Sequence, residues 1–521
     1  MAEARRITPR DLRALLDAGG EIAVLDVREE GVHSRAHLFL AVSAPLSSME
    51  LRIGRLVPRR GTAIVLVDED EVLAGRAAAL LGRLGYGDLR VLAGGMAGWK
   101  QAGYPVYSNV HVPSKAFGEH VEHREETPRI TATELKAKID AGEDLVILDS
   151  RPMTEYRVMN IPGAADCPGA ELVYRVFEAA PRPETLVVVN CAGRTRSIIG
   201  AQSLINAGIP NKVVALENGT MGWHLAGLQL EHGQTRMAAP PSADALRKAK
   251  EAAERVAKRF NVQKISTSQL KELQKDKSRT IYVFDVRSPE EYEAGHLPGS
   301  VSAPGGQLVQ ETETYAAVRN ARIALVDDHG VRATMTASWL VQLGWPEVFV
   351  VADGLAGTLE SGTPQSPSPA AKTISATELQ RHSSPVILDF GTSIQYRKGH
   401  IPGAAFAIRS RLDRHLSSLR GKLVICVSPD GKLARYAAMD LAGMGVDAAA
   451  LEGGTAGWRA AGLPMEAGET RMLEPPEDVY YKPYDGRAQI EAAMRDYLDW
   501  EVALIEQIKR DPDCRFRDFP A

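Results

Sequence analysis

The chain carries one sequence unit four times over, and this internal period restricts its fold more than any other feature. Each copy opens with a short amphipathic helix signal: ITPRDLRALLDAG, ITATELKAKIDAG, ISTSQLKELQKD and ISATELQRHS. In each, a Thr or Ser precedes the periodic residues and can cap the helix N-terminus. An apolar run ending in Asp follows, at Asp26, Asp149, Asp285 and Asp389. Eleven residues further on stand His37, Asn160, His296 and His400, and three copies continue as IPGA, LPGS or IPGA. A second apolar run (AIVLVD, LVVVNC, RIALVD, LVICVS) leads to a helix and a third short strand. Each copy then closes on a Gly-rich turn, GGMAGW, ENGTMGW, ADGLAGT or EGGTAGW.

Short apolar runs alternating with helices indicate parallel sheets buried on both faces. The expected architecture is therefore α/β: four tandem three-layer domains, each with a central, mostly parallel sheet flanked by helices. The domain limits read 1–107, 128–235, 262–364 and 372–467, with a tail at 468–521. Between the first two lies a long polar connection, 106–128, holding His111, His120 and His123. Residues 242–260 read as a charged helix bridging the two halves, and the Pro/Ser-rich 361–372 as an extended linker. In the tail, Met494, Leu498, Trp500, Leu504 and Ile508 mark an amphipathic helix near 487–509 that docks on a domain.

Composition excludes several classes. A length of 521 residues exceeds a single core, and a net charge of -4 gives no electrostatic reason for a nucleic-acid or acidic-membrane partner. Four cysteines without a CxxC pair are neither a disulfide framework nor a zinc signature. No apolar stretch has signal-peptide or membrane-span length, so the cytoplasm is the expected location.

The ordered motifs DxR, GH-I-PGA, strand-then-loop and GG-x-x-GW resemble the rhodanese-like sulfurtransferase family, and the resemblance extends over all four copies. It implies that the active loop follows the second apolar strand. Seventeen residues before the helix-closing glycines Gly85, Gly208, Gly344 and Gly445 stand Asp68, Cys191, Asp327 and Ser428. Only the second copy places a thiol there; the other three are expected to be inactive.

Its loop reads Cys191, Ala192, Gly193, Arg194, Thr195 and Arg196, with Ser197 opening the helix. A free thiol is mostly protonated at neutral pH. Loop N–H groups, the helix N-terminus and the charges of Arg194 and Arg196 are expected to favour the Cys191 thiolate, hold its persulfide and attract an anion. The resemblance implies covalent transfer: a small anionic sulfur donor loads Cys191, and a thiol or cyanide unloads it. Thiosulfate, glutathione persulfide and 3-mercaptopyruvate all fit as donors. Neither a cofactor nor a metal is implied. A sulfur-carrier or scaffold protein is the rival reading. A phosphatase or arsenate reductase is a weaker one, because phosphatases use Cys-x5-Arg and this loop is Cys-x4-Arg.

Asp149, Arg151 and Glu155 recur as Asp285, Arg287 and Glu291 in a copy without the thiol, so they are expected to support the strand end. The His37 series is expected to fix a turn, and Trp99, Trp223 and Trp458 to anchor cores. Cys167 is a candidate resolving thiol for Cys191, and Cys426 a core residue. His120 and His123 are spaced for one helical face, but without further ligands they read as a solvated linker. The alternative is that this segment covers the active loop. Domain 1 is expected to pack on domain 2 and complete its pocket, with domains 3 and 4 as a similar pair.

Overall fold

The computed structural model describes residues 4–364, 368–485 and 489–520. Part of the expected linker, 365–367, and the first residues of the expected tail helix, 487–488, lie outside the described residues.

The same five-strand arrangement is built four times, and in domain 1 Val318–Arg319 of domain 3 adds a sixth strand, antiparallel to Ile22–Asp26. In domain 2 the strands are Arg129–Ile130, Leu145–Asp149, Ala165–Asp166, Leu186–Asn190 and Val213–Leu216. They pair in parallel, in the spatial order first, fifth, fourth, second, third. That order recurs in the other domains. It puts the second and fourth strands, the two most apolar runs, in the middle, where helices cover both faces. The expected Thr/Ser caps are present. Thr131, Ser266 and Ser375 each form a reciprocal capping box, and Thr8 accepts from the Asp11 N–H.

The repeated polar residues hold these units together. Arg28, Arg151 and Arg287 each clamp the Asp two residues earlier and donate to a backbone carbonyl eight residues on. In the fourth copy Gly391 replaces the arginine, and the buried Asp389 carboxyl rises to about 6. His296 and His400 bond the carbonyls of Tyr292 and Tyr396, while Asn160 donates to Tyr156. Trp99, Trp223 and Trp458 are buried, each indole N–H bonding a carbonyl six residues on. Cys426 lies fully buried in the domain 4 core.

The chain forms two compact units that do not follow chain order. One joins most of domain 1, Val24–Val110, to domain 4 within Pro364–Tyr481. The other holds domains 2 and 3 within His111–Thr363, the tail Lys482–Ala521 and the segment Arg13–Ala23. The expected pairing of domain 1 with 2 and 3 with 4 is therefore corrected. The reason lies in helix Ala243–Arg259, expected only as a bridge between halves. Its stripe of Ala245, Ala249, Ala252, Ala253 and Val256 is buried against helices of both domain 2 and domain 3. Across that junction Arg332 donates to Glu171 at 2.7 Å and the Trp339 indole to Ser203 at 2.8 Å. In the other unit Arg409 of domain 4 grips Glu50 of domain 1, and Ser410 donates to Glu29.

Candidate active site

Cys191 ends the central strand Leu186–Asn190, and helix Thr195–Asn206 begins four residues later. The thiol is buried, with 2% of the residue exposed. Ser197, on the first turn of the helix, donates its hydroxyl to Sγ at 2.9 Å, and its backbone N–H also points there. Burial pushes the Cys191 thiol up, while Arg196 and the two Ser197 donors pull it back. The expected net fall is thus corrected: desolvation outweighs the loop's positive groups.

The siblings explain why the loop differs. In domain 1 the Asp68 carboxylate accepts the N–H groups of Glu71 and Ala74, at 2.7 and 3.0 Å. In domain 3 Asp327 accepts those of Gly330 and Ala333, and in domain 4 the Ser428 hydroxyl accepts that of Ala434. Ala74, Ala333 and Ala434 occupy the position of Ser197. Each copy without the thiol therefore satisfies loop donors with its own oxygen. In domain 2 a sulfur takes that place.

The two arginines part company. Arg196 forms a bidentate pair with Glu155 at 2.8 and 3.2 Å and donates to Gln307 of domain 3 at 3.0 Å. Glu155 therefore orients the loop's arginine; unlike Asp149 and Arg151, it does not brace the strand end. Arg194 turns away, toward Glu119 at 2.7 and 2.8 Å and toward Glu122. Its expected charge on the thiolate is spent on those carboxylates.

Both glutamates belong to helix Val112–Glu125, which replaces the expected solvated linker. Ser114, Lys115, Ala116, Phe117, Glu119 and Val121 are buried along it, and it packs on helix Thr195–Asn206. The segment packs on the domain that holds Cys191. His120 stacks with Phe117, meets Phe516 at a tilt and bonds Asp518. Among the described residues no cluster suited to a metal ion occurs.

Sequence reasoning missed Lys115, Lys482 and Glu501. Lys115 is buried, bonds the Tyr497 hydroxyl and lies 4.7 Å from that ring's centroid. It sits within electrostatic reach of Glu501, Arg196, Lys482 and Cys191. Lys482 approaches Glu155 at 3.4 Å. Tyr497 and Glu501 come from the tail helix, seen over Ile490–Ile508, whose Met494 and Leu498 bury Met221 of the Gly-rich turn. No local pattern marks these residues, since they act across long stretches of sequence. Domain 3 and the tail thus reach the loop, through Gln307 on Arg196 and Glu501 on Thr195.

The Gly-rich turn braces the loop from below: Thr220 and Met221 donate to the carbonyls of Cys191 and Ala192 at 2.8 and 3.0 Å. Gly219, at φ +56°, has no room for a side chain. A Cβ there would meet the Cys191 carbonyl well inside contact distance and lie 2.8 Å from the Gly193 oxygen. We expect Gly219→Ala to shift the loop and cut turnover by about a hundredfold. Gly454→Ala, the same change under Ser428, should lower thermal stability and leave turnover within about twofold. Steady-state rates beside melting curves compare the two.

Cys167 is fully buried in the domain 2 core, its thiol pushed well up by desolvation. All four cysteines are free, so no Cys167–Cys191 bridge is present. Its neighbour Asp166 is fully buried, with neither carboxyl oxygen partnered. Burial, aided by the Asp149 charge, raises its pKa from the ordinary 3.8 to about 8. From about pH 4 to 8 the folded state holds a proton that the unfolded state has lost, so stability falls as pH rises through that window. Asp166→Asn should flatten this slope and raise the melting temperature at pH 8; an unchanged slope would show that Asp166 does not carry it.

A buried thiol at a helix N-terminus on a five-stranded parallel sheet, repeated without the thiol three times, defines a class. The rhodanese-like domain profile matches residues 8–102, 131–226, 266–360 and 375–461, and the chain belongs to that family. The crystal structure of a thiosulfate sulfurtransferase from Pseudomonas aeruginosa is similar throughout. It has 49% identity and a TM-score of 0.95, over 99% of this chain and 100% of that one. Two shorter similarities cover 20% of this chain each. One is to an HTH-type transcriptional regulator of Mycobacterium tuberculosis, 34% identical over 104 residues. The other is to a candidate sulfur carrier protein of Bacillus subtilis, 32% identical over 107 residues. The matches span 45% and 56% of those two relatives' lengths. Among the described residues no helix is long and apolar enough to cross a membrane.

Proposed function

We propose that this chain is a thiosulfate sulfurtransferase that moves sulfane sulfur through a persulfide on Cys191. The observation that carries the reading is the sibling comparison. Where the other three copies fill the loop with their own oxygen, domain 2 offers a thiol and its N–H donors to a sulfur anion. Similarity to the Pseudomonas enzyme over the full chain supports the same chemistry.

In the first half-reaction the Cys191 thiolate attacks the outer sulfur of thiosulfate. The S–S bond breaks, its electron pair leaves with sulfite, and the persulfide anion stays in the loop. Arg196 and Lys115 put positive charge within reach of Cys191, with Lys482 close to both, which suits the sulfonate oxygens of the donor. In the second half-reaction a thiol or cyanide takes the outer sulfur and restores the Cys191 thiolate. The Cys-x4-Arg loop and this similarity do not favour a phosphatase or a passive carrier. We take 1–107, 128–235, 262–364 and 372–467 as the domain limits. A reducing compartment such as the cytoplasm would keep Cys191 a free thiol.

The test is to add thiosulfate without an acceptor, then cyanide. We expect one sulfite released per chain, a gain of one sulfur in the peptide holding Cys191, and then thiocyanate. No sulfur uptake from thiosulfate would overturn the reading.

A further inference from the structure

Two buried charged side chains near Cys191, Lys115 and Glu501, come from outside the repeated domains, and Glu501 has no part in the transfer as described so far. Glu501, on the tail helix, is 1% exposed. Its Oε1 accepts the Thr195 hydroxyl at 2.5 Å, which fixes the carboxylate over the start of the loop helix. Its Oε2 is buried and has no hydrogen-bond partner. This oxygen faces the loop: a Cβ built on Gly193 would lie 3.3 Å from it. Glu501 is also close enough to Cys191 to oppose ionisation of the thiol.

An unpaired carboxylate oxygen in a dry site is costly, and a protein that only needed packing there would carry Gln or Leu. Thr195 uses one oxygen and the loop backbone leaves the other open. Lys115 stands across the site; it bonds Tyr497 rather than Glu501. The arrangement leaves one open acceptor facing the loop, with the Lys115 cation within electrostatic reach of Cys191.

We propose that Glu501 Oε2 receives the proton of the acceptor thiol in the second half-reaction, while the Lys115 ammonium stabilises the sulfur as it becomes a thiolate. This rests on the reading that Cys191 carries the transferred sulfur. The acceptor sulfur bonds to the outer persulfide sulfur, and the bond to Sγ breaks with its pair returning to Cys191. The thiol proton moves onto Glu501 and leaves with the product persulfide or to solvent. The substrate class is a protonated thiol, small enough to reach a buried site. Cyanide attacks as the anion in equilibrium with HCN in bulk solvent, so no proton leaves it at the reacting atom. The two acceptors should therefore depend on Glu501 differently.

The experiment uses the full chain, loaded with thiosulfate and discharged in single turnover by either cyanide or dithiothreitol. For Glu501→Gln, with each discharge measured from the loaded chain, we expect the ratio of the dithiothreitol rate to the cyanide rate to fall by at least about tenfold, whatever the change in the loading step. Glu501→Asp, which retracts the oxygen, should show the same split in milder form. Equal losses with both acceptors would mean a structural contribution only and overturn the proposal, as would an unchanged thiol rate. The cyanide rate reports whether the site is folded. If the parent chain itself took up no sulfur, the Cys191 reading would fall first, and that result is distinct from either outcome with the variants.

Discussion

Cys191→Ser is expected to abolish sulfur transfer, lowering turnover by at least about a thousandfold, with no sulfur gained from thiosulfate. A hydroxyl is too weakly acidic to supply the nucleophile and forms no persulfide. The chain already contains this exchange, because Ser428 occupies the position of Cys191 in domain 4 and there accepts the Ala434 N–H at 3.1 Å. The serine variant should therefore fold as its parent does, and its melting temperature should change little. Cys167→Ser is the matched control. That thiol is buried in the core and remote from the loop's donors, so turnover should stay within about twofold. Sulfite release and intact mass measure both. A Cys191→Ser protein that still turned over would move the nucleophile elsewhere, and the three remaining cysteines could then be tested singly.

The fold was legible because its determinants are local and repeated. A Thr or Ser cap, an apolar strand closed by Asp and a Gly-rich turn each occupy a few consecutive residues. Four copies made each weak signal count. The position of Cys191 was legible for the same reason, since strand, loop and helix are contiguous. What escaped were contacts made at long range. Arg194 appears beside Arg196 as an equal charge, and only folding sends it to Glu119, 75 residues away. Glu501 meets Thr195 across 306 residues, and no periodicity in a tail helix announces a partner. The partnership of domain 2 with domain 3 was hidden too. A helix of alternating charges such as Ala243–Arg259 reads as a spacer until its alanine stripe is seen filling both neighbours. Helix Val112–Glu125 misled in the same way. Its buried face is made of small and polar residues, which carry little hydrophobic signal.

Arg196→Met should separate the structural from the chemical contribution of the loop. Arg196 is the largest influence opposing desolvation of the Cys191 thiol, and its guanidinium is fixed by Glu155 and Gln307. Removing it takes away the nearest full positive charge, and turnover should fall by about a hundredfold. The same change strands Glu155, which keeps only Lys482 at 3.4 Å. A partly buried carboxylate losing its main partner costs on the order of 2 kcal/mol, less than a fully buried one because some solvation remains. Pairing Arg196→Met with Glu155→Gln should then recover most of the stability, since no buried carboxylate is left unpaired and the half-exposed Lys482 stays solvated, and recover none of the turnover. Arg194→Met makes the contrast. Its charge already belongs to Glu119 and Glu122, so that variant should lose stability in helix Val112–Glu125 while turnover drops less than about tenfold. Rates and melting temperatures for the four proteins decide the matter: if the double variant regained activity along with stability, Arg196 would be a brace for the loop and the cation beside the sulfur would have to be Lys115 or Lys482.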